Sequence, residues 1–160
     1  MARYIVDSQI DNHEKYYFIR EQESQDIVLL PSKYLMHKKR SKLSPNTIRR
    51  SAGAISYYLN YIDETGIQLD DVWEMPYDKQ QEHFTDYLIW LQAGLHSGDS
   101  YKKKPYNETC NAYLKEVFRF YRFSGQQDES IKQLKVLSDM RIIVHNSVGV
   151  KRTLYRNTFH

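Results

Sequence analysis

Apolar residues recur at helical spacing in three stretches of the chain. Ile48, Ala52, Ile55, Leu59 and Ile62 share one stripe, which predicts a helix over 45–63 that stops near Gly66. Ser44 stands where an N-cap belongs, Pro45 suits the first helical position and Thr47 lies in the first turn. The other face of this helix carries Thr47, Arg50, Ala54 and Tyr57. A second stripe, Cys110, Leu114, Val117, Phe118 and Tyr121, predicts a helix that starts at Tyr106 or Asn107 and ends at Gly125. Asn111, Lys115, Arg119 and Arg122 form its polar flank. The third stripe, Phe84, Tyr87, Leu88 and Leu91, follows a capping-box pattern with Asp78 as cap and Gln81 three residues on, and ends near Gly94.

The remaining signals are shorter. Pro31 opens a short helix with Tyr34 and Leu35 facing inward, and this runs into Lys38-Lys39-Arg40-Ser41-Lys42. Ahead of it, the β-prone runs Tyr16 to Ile19 and Ile27 to Leu30 flank a polar stretch and predict a small hairpin or extended arm. Residues 94–104 read as a loop, 129–137 as a shorter helix, and Ile142-Ile143-Val144 as a β-prone run before a basic tail with Lys151, Arg152 and Arg156. The expected fold is therefore mainly α: four to five helices behind a small N-terminal β-hairpin or arm at residues 1–30. A length of 160 residues allows one domain with a short appendage.

Charge changes the picture more than composition does. Between Pro31 and Ile62 there are seven Lys or Arg and no Asp or Glu; Asp63 to Ser100 holds nine acids and one base; Tyr101 to Gly125 has six bases against two acids. The net charge of +3 conceals two basic blocks held apart by an acidic one. Charge sorted in this way points to a face built for a polyanion. The basic helical stripes carry Asn46, Thr47 and Arg50 on one helix and Asn111, Lys115 and Arg119 on the other, with Lys102-Lys103-Lys104 nearby. Helix N-termini suit phosphate, and Asn, Thr and Arg side chains reach base edges in a major groove. The acidic helix over 78–91 is expected to lie away from any nucleic acid.

Other chemistry finds little support. The single cysteine, Cys110, excludes an intrachain disulfide and a Cys-based zinc site, and reads as a small core residue. A cytoplasmic location is expected: no apolar run approaches the roughly 20 residues that span a bilayer, and the N-terminus lacks a signal-peptide core. The histidines His13, His83, His96, His145 and His160 lack metal-ligand spacing, Asp70, Asp71 and Glu74 read as a solvated acidic turn, and His37 with Arg40 reads as the basic end of a helix. With no Gly-rich phosphate loop and no nucleophile elbow, neither a cofactor nor a small-molecule substrate is expected.

Leu43-Ser44-Pro45-Asn46-Thr47-Ile48-Arg49-Arg50, followed by residues 54–61, resembles the opening helix of the core-binding domain of tyrosine recombinases, the phage integrase family. Phe118-Arg119-Phe120-Tyr121 is similar to an aromatic-rich later helix of that domain, and the order of elements over about residues 15–140 is similar too. The resemblance implies a SAM-like orthogonal bundle over 31–140, with 141–160 starting a linker toward a catalytic domain. It implies double-stranded DNA as partner, with the helices at Pro45 and near Asn107 approaching the major groove, and other recombinase protomers in a DNA-bound assembly. The DNA-binding candidates are then Asn46, Thr47, Arg49, Arg50, Lys102, Lys103, Lys104, Asn111, Lys115, Arg119 and Arg122, with Arg50 and Lys115 at the contact positions. The context of the family's catalytic half is missing, and His37 to Arg40 lies on the wrong side of the Ser-Pro-Asn-Thr motif. The expectation is an N-terminal piece of a longer recombinase that positions DNA and does not itself cut it. The competing expectation is a helical protein-interaction module that uses the acidic helix or exposed aromatics and binds no nucleic acid.

Overall fold

The computed structural model describes residues 3–97, 105–127 and 134–138. The chain is mainly helical behind an N-terminal hairpin. Strands β1 (Tyr4–Asp11) and β2 (Glu14–Glu21) precede helices α1 (Leu29–Arg40), α2 (Pro45–Thr65), α3 (Asp71–Glu74), α4 (Tyr77–Gln92) and α5 (Asn107–Gln127). Short 3-10 turns lie at Leu95–Ser97 and Lys135–Ser138. Three expectations fall outside the described residues wholly or in part: the loop beyond residue 97, most of the helix over 129–137, and everything from 141 onward.

The hairpin exists with a different partner from the one expected. The strand around Tyr16 to Ile19 pairs antiparallel with Tyr4–Asp11, in a register running from Tyr4 opposite Glu21 to Asp11 opposite Glu14. Asn12 and His13 form the two-residue turn, both with positive φ (51° and 67°), the backbone that matches the strands' twist. Of the run Ile27 to Leu30, only Ile27 makes a bridge, to Arg20, and Leu29 already belongs to α1. The hairpin is docked on α2 rather than free. Ile19 is fully buried in the core. Asn60 Oδ1 accepts from the Tyr4 N–H at 2.9 Å, and the Ser56 hydroxyl donates to the Tyr4 carbonyl at 2.8 Å. Arg3 pairs with Asp63 one turn further along. Ser56, Asn60 and Asp63 are thus a polar stripe of α2 spent on a strand edge.

Helix α2 is the central element, packed on the hairpin, α1 and α5. Ser44 caps it, accepting from the Thr47 N–H at 3.2 Å, and Gly66 ends it at φ 75°. No atom lies within 4 Å of a Cβ added at Gly66, so an alanine there meets only backbone strain. Gly66→Ala is expected to cost about 1 kcal/mol and to lower the melting temperature by roughly 3 °C, readable in a thermal scan.

The core is unusually aromatic. Tyr58, Tyr87 and Tyr121 are fully buried with Phe84, Phe118 and Phe120. Tyr58 contacts the rings of Tyr87 (5.1 Å) and Tyr121 (5.8 Å) edge-on and stacks on Phe84 at 6.1 Å. Burying phenols calls for partners for their hydroxyls; Tyr58 and Tyr121 have them, whereas the Tyr87 hydroxyl has none among the described residues. The Tyr121 hydroxyl donates to the Leu69 carbonyl at 3.3 Å and lies 2.7 Å from the Tyr58 hydroxyl, which is in turn 2.9 Å from His83 Nε2. His83 therefore closes a hydrogen-bonded chain across α2, α4 and α5.

Two helix ends depart from expectation. Asp78 does not cap α4; the helix starts at Tyr77 after Pro76, without a side-chain cap. Gln80 is buried instead, donating to the Val72 carbonyl at 2.8 Å and accepting from the Val136 N–H at 3.2 Å, which ties the 3-10 turn at Lys135–Ser138 to α3 and α4. Helix α5 continues through Gly125 to Gln127 because its last turns are held by packing. Phe123 lies 5.4 Å from the Tyr34 ring and 5.0 Å from that of His37.

Candidate nucleic-acid interface

The basic residues at the start of α2 and those on α5 meet across a groove of about 490 Å³. Thr47 and Arg50 line it from α2, and Glu108, Glu116 and Arg119 from α5. The groove is open because its floor is built of small residues, Ser51, Ala54 and Ala112. Thr47 is exposed in the first turn of α2 and Arg50 in the second, and Arg119 is exposed on the opposite wall.

The α5 stripe does not face the groove as a whole. Each step of four residues along a helix rotates the side chain by about 40°. Arg119 lines the groove, whereas Lys115, Asn111 and Arg122 do not. Lys115 and Asn111 are half-buried, and the Asn111 carbonyl oxygen has no hydrogen-bond partner among the described residues. Asn46 is exposed at the start of α2 without lining the groove; Arg49 faces its other side, toward the hairpin. Lys102, Lys103 and Lys104 lie outside the described residues.

Part of the basic block is already neutralised inside the fold. Glu116, almost fully buried, accepts from the Tyr34 hydroxyl, pairs with Lys38 Nζ at 3.1 Å and takes Arg119 Nη1 at 3.3 Å. Burial and the neighbouring carboxylate push the Tyr34 hydroxyl far above the usual phenol range, so it stays a donor. Lys38 also lies over the Tyr34 ring at 5.2 Å. Lys39 sits over Tyr16 at 5.3 Å and within 4.0 Å of Glu14. Arg49 and Arg50, by contrast, make no ion pair among the described residues. An arginine held without a counter-ion at a groove wall keeps its full charge for an incoming anion.

The other chemistry-bearing residues have structural surroundings. His37 packs on Phe123, and Arg40 of the same His-x-x-Arg is exposed at the end of α1. Cys110 is buried in the core, its thiol pushed up to about 11 by burial. Among the described residues no group of three or more His, Cys, Asp or Glu could hold a metal ion, and no helix is long and apolar enough to cross a membrane. The acidic side chains Asp78, Glu82 and Asp86 share an exposed face of α4.

Comparison with protein-family models, with curated proteins and with solved structures returns no match.

Proposed function

We propose that this chain is a DNA-binding module of the kind tyrosine recombinases carry ahead of their catalytic domain. It positions duplex DNA for strand exchange and leaves the chemistry to a separate domain. The observation that carries the reading is the convergence of Arg50 and Arg119, from two helices distant in sequence, on one open groove beside the exposed start of α2. The Ser-Pro-Asn-Thr opening of α2 and the order of the elements support the family. Thr47 at the groove wall supplies a side chain able to reach a base edge, while the arginines supply the phosphate term. A cytoplasmic location and assembly with other protomers on the DNA go with this reading.

Salt dependence tests it, because each phosphate neutralised releases counter-ions. Fluorescence anisotropy of a labelled random-sequence duplex of roughly 25 base pairs, long enough for the several phosphate contacts expected, is titrated at several salt concentrations. The affinity is expected to fall steeply with salt. Replacing both Arg50 and Arg119 by Gln should weaken binding about tenfold and reduce the log–log salt slope by about 2, with an unchanged melting temperature. Equal binding by the folded double variant would overturn the assignment of this groove.

A second reading has its own observation. The acidic face of α4 made by Asp78, Glu82 and Asp86 runs beside Ile89, which is 54% exposed, as in a surface for a basic partner protein. Absence of duplex binding at low salt would move this interaction-module reading ahead.

A further inference from the structure

Helix α2 borders a second groove next to the first, of about 490 Å³, closed on the far side by the hairpin. Tyr17 lines it from β2, Arg49, Arg50 and Tyr57 from α2, and Tyr113 from α5. Neither arginine has an ion-pair partner among the described residues. The one carboxylate in the groove is already engaged: Asp7 pairs with Arg20 at 3.3 Å and accepts from the Ser8 N–H at 2.7 Å. The electrostatics therefore favour an anion.

The rest of the lining favours a particular anion. Tyr57 and Tyr113 meet at 5.3 Å to form an aromatic wall backed by His96, and Tyr17 stands on the hairpin side with Lys15 Nζ over its ring at 5.5 Å; all three tyrosines are half-buried. Asp11 and Glu14 flank a two-residue turn, so the hairpin's hydrogen bonds alternate from that pair and the N–H and C=O of Val6 and Ser8 point away from β2. Tyr4, in the same phase, already uses its outward groups on Asn60 and Ser56. Val6 lines the groove and uses neither among the described residues. Gly53 forms part of the α2 wall, where an added Cβ would meet nothing within 4 Å. The groove thus offers two guanidinium groups without ion-pair partners among the described residues, three half-buried tyrosine rings and a strand edge able to donate and accept. Its volume lies within the roughly 300–1,000 Å³ of small-ligand sites.

We propose that this groove binds an unpaired nucleotide of a single-stranded nucleic acid, with its phosphate on Arg49 and Arg50 and its base against Tyr17, Tyr57 and Tyr113. Basic grooves faced with aromatic rings hold single strands in this way, with stacking supplying sequence-tolerant affinity. Arg50 lines both grooves, so a strand leaving a duplex at the start of α2 reaches the second groove directly. Tyr113 lines both grooves as well, so the inference shares Arg50 and Tyr113 with the duplex groove and otherwise stands on different residues, Tyr17, Arg49 and Tyr57.

The test is anisotropy of fluorescein-labelled dT12 at low salt, with the same duplex titrated in parallel on the full chain. Tyr17→Leu keeps apolar packing on the hairpin and removes the π face; Tyr17→Trp restores it. The expected result is dT12 binding that weakens about tenfold in Tyr17→Leu, recovers in Tyr17→Trp and weakens in Arg49→Gln, while duplex affinity in Tyr17→Leu stays within about twofold of wild type, since the phosphate contacts that dominate it are untouched. Failure of dT12 to bind, or equal binding by the folded Tyr17→Leu and Arg49→Gln variants, overturns the proposal and leaves the duplex reading standing. Tyr17-dependent dT12 binding without duplex binding upholds it and overturns the duplex reading instead.

Discussion

Replacing Glu116 by Leu is expected to destabilise the fold by about 3–5 kcal/mol, although leucine fills much of the same volume. The carboxylate holds α1 to α5: the Tyr34 hydroxyl and Lys38 reach it from α1 and Arg119 from its own helix. The Lys38 and Glu116 side chains are 13% and 9% exposed, so their attraction is little screened by solvent. Leucine would leave a buried ammonium without its counter-charge and a buried hydroxyl without an acceptor, and both carry desolvation costs. The Arg119 pair matters less, because that side chain is 51% exposed. Glu116→Gln keeps an acceptor for Tyr34 and loses only the charge, so about half of the loss should be recovered. Urea denaturation of the three proteins measures both steps. Glutamine should also strengthen duplex binding, since it removes a negative charge from the groove wall and frees Arg119. A Leu variant as stable as wild type would mean that Lys38 simply turns out to water and that Glu116 holds nothing together.

The importance of Glu116 could not be read from local pattern. It follows Lys115 in a stretch whose outward residues look basic, and its burial depends on Tyr34, 82 residues away in sequence. One signal was present: an acid immediately before the apolar pair Val117 and Phe118. For the same reason, counting charges in a block overstates what reaches solvent. Lys38 and Lys39 belong to the acid-free stretch, yet the fold supplies their acids from Glu116 and Glu14.

The long helices were legible because several signals agree along them. In α2 the apolar period, the Ser44 cap, Pro45 and Gly66 all indicate the same element, and its ends lie within about two residues of expectation. The hairpin was half legible. β1 docks through the Tyr4 backbone on Asn60 and Ser56, contacts that leave no hydrophobic period in the strand itself. Ile27 to Leu30 is a short aliphatic run, a kind that strands and buried helix starts share. At the candidate interface, the composition of Thr47, Arg50 and Arg119 indicated a common face and the folded groove brings them together, whereas helical drift separates Lys115 and Asn111 from it. Spacing by four marks neighbours on a helix but does not keep a long stripe on one side of a groove.

Acidification should weaken the fold through one residue. His83 is 6% exposed in the aromatic core, and burial lowers its pKa from the ordinary 6.5 to about 4. Its neighbours give it no carboxylate: Tyr58 lies 2.9 Å from Nε2, and the rings of Tyr61 and Phe84 pack at 5.9 and 4.9 Å. The unfolded chain takes up a proton at this side chain as the pH falls below 6.5, while the folded chain resists it until about pH 4. The unfolded state therefore binds more protons throughout that window, so stability is full above pH 6.5 and falls as the pH drops through it. A shift of this size corresponds to roughly 3 kcal/mol. His96, also lowered by burial, acts in the same direction; Asp86, raised by partial burial and by Glu82, acts in the opposite direction lower in the carboxylate range. Denaturation free energies measured from pH 7.5 to 4 should show this slope, and His83→Phe should flatten most of it. Tyr58 keeps its bond to Tyr121 in that variant, so the loss at neutral pH should be smaller than the gain in acid. An unchanged slope in a folded His83→Phe protein would assign the acid sensitivity to other groups, His96 among them, instead of the buried chain of hydroxyls that His83 closes.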